Sequence, residues 1–208
     1  MTDERTAVPR PRPERRSPIA HLADRCAGTG SAATVRLREV PFPAQAELRV
    51  SEDEEAAVVR LAAEFLGCPL PGPGSARGDG SPYALWCGPG WYLVVDSSAS
   101  GPGLAAALEC AVGGEYGMAC GSVTDVSAQR TVLELSGPHA RDVLAHGCML
   151  DLHPRVFGPG GYTQTLLAGA AVGLQQTDAA PTYRVLVRAA HAEHLTRWLL
   201  DAMTEYAE

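Results

Sequence analysis

Glu47-Leu-Arg-Val-Ser51 leads through a helical run into Leu66-Gly-Cys-Pro-Leu70, and Leu133-Glu-Leu-Ser136 leads through another into His146-Gly-Cys-Met-Leu150. Each copy reads as a strand, a Ser at the strand-to-helix corner, a helix, and then Gly-Cys-x-Leu. Alternating apolar and polar residues bury one face of a strand. A Gly just past the last helical turn accepts the left-handed conformation that ends it. In the first copy Ser51 and Glu54 form a capping box, and Val58, Leu61, Ala62 and Phe65 follow at helical spacing before Gly67. In the second, Ser136-Gly-Pro-His-Ala140 opens a helix that runs to His146 and stops at Gly147.

The flanking segments repeat as well. After the first copy, Tyr83–Cys87 and Trp91–Val95 make a hairpin around Gly88-Pro-Gly90, and a helix rich in Ala and Leu covers Pro102–Ala111. After the second come strands at Tyr162–Leu167, Ala171–Gln176 and Thr182–Val187. A last helix carries Leu195, Trp198, Leu199 and Met203 on one face. The expected fold is therefore α+β: a duplicated β-α-β-β-α unit, with halves at about 33–120 and 121–208 forming one domain over 17–208. Thr34–Val40 alternates like a half-buried strand ahead of the first unit. Pro69 to Pro82, rich in Gly and Pro, reads as a loop. Residues 1–16, with Pro9, Pro11 and Pro13, read as a flexible arm able to lie along a partner, and Ser17-Pro18 starts a helix.

Composition narrows the functions. The 208 residues are 46% hydrophobic and 20% charged, enough apolar material for a sizeable core. The net charge of −7 argues against binding nucleic acid or an acidic membrane surface, both of which need a basic face. All 17 basic residues are Arg, so phosphate-loop, Schiff-base and general-base Lys chemistry is excluded. No apolar run is long enough to span a membrane and no secretory leader is visible, so a cytoplasmic location is expected. The six Cys form no Cys-x-x-Cys pair and read as free, buried thiols.

Candidate chemistry is sparse. Asp125 and Ser127, in Ser122-Val-Thr-Asp-Val-Ser127 between the halves, are better read as a turn closed on backbone amides than as a catalytic pair. His146, Cys148, Asp151 and His153 lie close together but match no zinc spacing, and a helix end with a connector suits them better. His191 and His194 lack the four-residue offset of a metal-binding helix. Gly88-Pro-Gly90 and Gly158-Pro-Gly-Gly161 each lose an amide donor to Pro and read as turns. Trp86, Trp91 and Trp198 sit within apolar runs and suit either core packing or, where exposed, a partner surface. No catalytic, cofactor-binding or metal-binding residue is assigned.

The stretch Asp125-Val-Ser-Ala-Gln-Arg-Thr-Val-Leu-Glu-Leu-Ser-Gly-Pro-His-Ala-Arg-Asp-Val-Leu144, continued by His146-Gly-Cys-Met-Leu-Asp-Leu-His-Pro154, Gln164–Leu167 and Thr177–Tyr183, resembles the gamma subunit family of heterotetrameric sarcosine oxidase. Arg16–Leu22 and Pro43–Val50 resemble its front, and Met149 stands where that family usually has Pro. The resemblance implies an assembly subunit without an active site. It implies alpha, beta and delta partners that carry FAD, FMN, NAD, a tetrahydrofolate site and zinc. It also implies oxidation of the N-methyl group of sarcosine to give glycine, a one-carbon unit and hydrogen peroxide. The fold is similar to the folate-binding domain of the glycine-cleavage T-protein, whose Asp-Val-Ser and Leu-x-Gly-Pro segments recur at Asp125–Ser127 and Leu135–Pro138. Where those relatives place a catalytic acid, this chain reads Ala170-Ala-Val-Gly-Leu174, so aminomethyl transfer and folate binding are not carried over. Asp125, Gln129, Arg130 and Trp198 are the candidates for shaping the domain junction or partner surface; the Arg130 fork suits a carboxylate across an interface. The competing expectations are a stand-alone folate-binding or aminomethyltransferase-like protein, and an accessory protein with an exposed redox thiol at Cys87 or Cys120.

Overall fold

The computed structural model describes residues 15–51, 55–78, 80–113 and 121–206. The expected arm up to residue 14, Glu54 of the expected capping box and Cys120 lie outside the described residues. A short 3-10 turn (Ala20–Leu22) and α1 (Ala23–Gly28) precede two runs of elements in the same order. The first is β1 (Arg36–Val40), β2 (Ala44–Val50), α2 (Glu55–Leu66), β3 (Ala76–Arg77), β4 (Tyr83–Gly88), β5 (Trp91–Asp96) and α3 (Gly101–Gly113). The second is β6 (Gly121–Asp125), β7 (Arg130–Ser136), α4 (Ala140–Ala145), β8 (Tyr162–Leu167), β9 (Ala170–Asp178), β10 (Thr182–Arg188) and α5 (Ala189–Ala202). The β-α-β-β-α order is present, with a further strand before each unit and another after its first helix.

Those additional strands reveal the topology. The sheets run β8-β9-β10-β7-β1 and β3-β4-β5-β2-β6, antiparallel throughout, so the leading strand of each run joins the other run's sheet. β1 is bound to β7 by main-chain pairing and by Glu134, which accepts from Arg38 Nε at 2.7 Å directly across the strands. The segment expected as a connector, Ser122–Asp125, is strand β6. It carries no apolar alternation because it is an edge strand whose residues are mostly exposed. β3 lies inside the stretch expected as loop. The second helix begins at Ala140, four residues later than expected, because Gly137 (φ +114°) turns the chain so close to Thr34 that a β-carbon there would fall 2.6 Å from the Thr34 carbonyl oxygen.

Alternation along the strands divides side chains among three cores. Leu133, Leu135, Tyr183, Val185 and Val187 face α4 and α5. Ala46, Leu48, Ala84 and Val94 face α2 and α3, which return Val58, Ala62, Leu104 and Leu108 at helical spacing. Tyr83, Leu85, Cys87, Leu93, Val95, Val132, Tyr162 and Leu186 fill the space between the sheets. The helices therefore cover the outer faces of two packed sheets. The repeated glycines serve different ends: Gly67 has φ +69° and ends α2, whereas Gly147 is outside the left-handed region and is small because Trp198 lies against it.

Candidate functional site

The turn joining β6 to β7 is one of the places where the two sheets are tied. Asp125 Oδ1 accepts from the Ser127 amide at 3.0 Å and from Ser127 Oγ at 2.6 Å, the expected turn chemistry. Ser127 Oγ in turn accepts from the Gln45 amide of β2 at 2.9 Å, and the Val126 amide donates to the Gln45 carbonyl at 2.8 Å. Gln45, fully buried, donates from Nε2 to the Arg130 carbonyl of β7 at 2.8 Å. The Ala189 amide, at the head of α5, donates to the Gln129 carbonyl at 3.2 Å. Gly101, which begins α3, sits so close that a β-carbon there would fall 2.3 Å from Ser127 Oγ and 2.6 Å from Asp125 Oδ1. β2, β7, α3 and α5 thus converge on six consecutive residues, three of which (Asp125, Gln129, Arg130) are sequence candidates. The fourth, Trp198, stands apart, half-buried against the core beneath α5 and packed over Gly147.

Two clefts open beside the turn and share Arg130 as a wall. One, of about 310 Å³, is lined by Arg15, Arg16, Glu39, Phe42, Ser127 and Ala189 among others. The other, of about 380 Å³, is lined by Trp91, Tyr162, Gln164, Gly173, Leu186 and Arg188 among others. Gly173 of β9 packs beneath Tyr162 so tightly that a β-carbon would come 2.6 Å from the phenol oxygen. Tyr162 OH lies 3.8 Å from Cys87 Sγ, and burial pushes both the phenol and the thiol above their ordinary ranges. Gln45 and Arg188 carried no local sequence signal; their partners lie far along the chain.

The remaining candidates disperse. Cys148 is buried, His146 turns to Tyr206 and Glu205, Asp151 accepts from the His153 amide at 2.9 Å, and His153 Nδ1 accepts from the Arg155 amide at 3.2 Å. His194 Nε2 lies 3.1 Å from the Ala168 carbonyl. Among the described residues no three His, Cys, Asp or Glu groups converge as a metal site. Gly160 and Gly161 donate their amides to the Gln176 and Gly158 carbonyls, as turn residues do. Cys87 is buried, against the expectation of an exposed thiol there. Cys110 is exposed and Cys68 half-buried, against the expectation that the thiols are buried. Among the described residues no helix is long and apolar enough to cross a membrane.

The model of the "Sarcosine oxidase, gamma subunit family" matches residues 52–205. The chain is 42% identical to the sarcosine oxidase subunit gamma of Arthrobacter sp. over 194 residues, 93% of this chain and 92% of that one. It is 41% identical to the subunit gamma of Corynebacterium sp. (strain P-1), with the same coverage. A chain of the heterotetrameric sarcosine oxidase from Corynebacterium sp. U-96, solved in complex with pyrrole 2-carboxylate, superposes with TM-score 0.81 at 37% identity, covering 93% of this chain and 97% of that one. The glycine cleavage system aminomethyltransferase T from Bartonella henselae superposes with TM-score 0.57 at 14% identity, covering 86% of this chain and 48% of that one, which shows a shared fold.

Proposed function

The chain belongs to the sarcosine oxidase gamma subunit family, and we propose that within heterotetrameric sarcosine oxidase it is the assembly subunit, with the chemistry carried by its partners. Its role as the gamma subunit of that complex rests on one observation: the likeness runs through nearly the whole chain, in sequence and in fold alike. The alternative of a stand-alone aminomethyltransferase is not favoured, because the likeness to that enzyme is of fold alone.

The finer parts of the proposal are these. The partners are alpha, beta and delta subunits, which bring FAD, FMN, NAD, a tetrahydrofolate site and zinc, and the complex works in the cytoplasm on the N-methyl group of sarcosine. This chain has no active site of its own. In support, Asp125 and Ser127 are committed to each other and to Gln45, and the β8–β9 turn, where T-protein relatives hold an acid, leads into Gly173 packed under Tyr162. Residues 17–208 act as one domain, in keeping with the exchange of leading strands between the sheets. Asp125, Gln129 and Arg130 shape the junction and the partner surface beside it; Trp198 holds α5 against its core over Gly147.

Affinity purification of the tagged chain from its host, with the visible spectrum of the eluate, tests this. The expected result is a yellow complex containing three further polypeptides. Recovery of the chain alone, colourless and monodisperse, would overturn the assembly role.

A further inference from the structure

Arg130 has its main chain tied down but its charge unanswered. Its Nη1 is buried with no hydrogen-bond partner, and so is the indole Nε1 of Trp91. Both residues line the cleft of about 380 Å³, and so does Arg188, which stands directly opposite Arg130 in the β7–β10 register. No Asp or Glu lines this cleft. Arg38, Arg49, Arg60, Arg184 and Arg197 each have a carboxylate partner, whereas neither Arg130 nor Arg188 has one among the described residues. Arg49, stacked 4.0 Å over the Trp91 ring, is already paired with Glu47, and Gln164 Nε2 is spent on the Cys87 carbonyl.

Two neighbouring guanidiniums repel, and a buried N–H without an acceptor is costly. That this chain, with its net charge of −7, leaves two cations side by side and unneutralised points to an acceptor from outside. Ala171, Gly173 and Leu186 line the cleft beside them and offer no carboxylate of their own. A planar two-oxygen acceptor on a short stem suits such a cleft beneath guanidinium forks.

We propose that the cleft between β7, β10 and Trp91 is a carboxylate-binding slot, clamped by Arg130 and Arg188 with the Trp91 indole N–H as a further donor, and that in the assembled enzyme an Asp or Glu side chain of a partner subunit fills it. The slot stands by itself; its occupant rests on the assembly role proposed above.

The test begins with the full-length chain labelled with nitrogen-15. Sodium acetate is titrated against sodium chloride and sodium phosphate at matched ionic strength, following the indole N–H resonances, with Trp91→Phe assigning the one that matters. The expected result is a saturable shift of Trp91 with acetate alone. It should weaken by about tenfold in Arg130→Gln, the loss of one charge-assisted pair, and less in Arg130→Lys. If Arg130→Gln does not fold, Arg188→Gln gives the same reading, because Arg188 is exposed and has no ion pair within the described chain. No saturable shift in the folded wild type, or a preference for phosphate, overturns the slot. The occupant is read by labelling arginines of the purified complex with phenylglyoxal. Protection of Arg130 and Arg188 without added acetate identifies a partner carboxylate. Protection only on adding acetate identifies a free small carboxylate and overturns the partner assignment. An acetate-binding chain that purifies alone would leave the slot standing and remove the assembly role.

Discussion

Gly147→Ala isolates the packing of Trp198. A β-carbon at position 147 would lie 2.6 Å from Trp198 Cζ2 and 2.7 Å from Cη2, with the Ala168 amide nitrogen at 3.2 Å on the other side. The backbone there is not left-handed, so steric overlap alone decides the sign. Overpacking of this kind costs about 1–3 kcal/mol, and the stiffer unfolded chain returns about 0.4–1 kcal/mol. The expected net loss is about 1–2 kcal/mol, a fall in Tm of about 2–8 °C for a chain of this size. In a Trp198→Ala background the overlap with the indole is gone, leaving the 3.2 Å approach to the Ala168 amide opposed by the chain-stiffening term. There the same substitution should be close to neutral or stabilise by up to about 1 kcal/mol, giving a coupling of about 1–3 kcal/mol. Urea denaturation of the four purified chains, followed by far-ultraviolet circular dichroism, measures the cycle. An equal cost in both backgrounds would refute the packing account and return Trp198 to the list of residues available to a partner.

Ser127→Ala strands the Gln45 amide, which Ser127 Oγ accepts at 2.9 Å; a loss of about 1–3 kcal/mol in the same denaturation assay is expected. Cys110, exposed, should react with a disulfide reagent in the native chain, while Cys26, Cys87 and Cys148 react only on unfolding; peptide mapping reads which thiol is modified. Burial raises the Cys87 thiol and the Tyr83, Tyr162 and Tyr183 phenols in the fold, so their contribution is fully present below the ordinary thiol and phenol values. It is lost as pH climbs beyond them towards the raised folded values. The urea midpoint should therefore fall between about pH 8.5 and pH 11, and Tyr162→Phe should make that fall shallower; an unchanged slope would count against a buried phenol at this site.

The repeated unit is legible in the sequence because its signals are local. Ser51 and Ser136 mark strand-to-helix corners, and Leu48, Val94, Leu133 and Val185 alternate as half-buried strands do. The turn at Asp125–Ser127 is legible for the same reason, since an Asp that accepts from the amide two residues on acts within its own turn. What escapes is set by distant pairing. β6 is a strand because β2 offers it an edge, and its Ser122 and Thr124 show no apolar period. Gln45 looks like a surface position in an alternating strand, yet it is fully buried between Ser127 and Arg130. Arg188 acquires meaning only from the register that sets it across from Arg130. No window of sequence contains both members of such a pair.

The exchange of leading strands also imposes an order on synthesis. β1 is made well before its partner β7: Arg38 and Glu134 are 96 positions apart. At ordinary translation rates of about 5–20 residues per second, β1 waits roughly 5–20 s with its hydrogen-bonding edge bare. β2 waits in a similar way for β6. Unpaired strand edges are the templates on which chains associate wrongly. Every nascent chain therefore passes through a stage in which its first half is complete in length but open along two edges, and the second half, once released, acts as the chaperone that closes them.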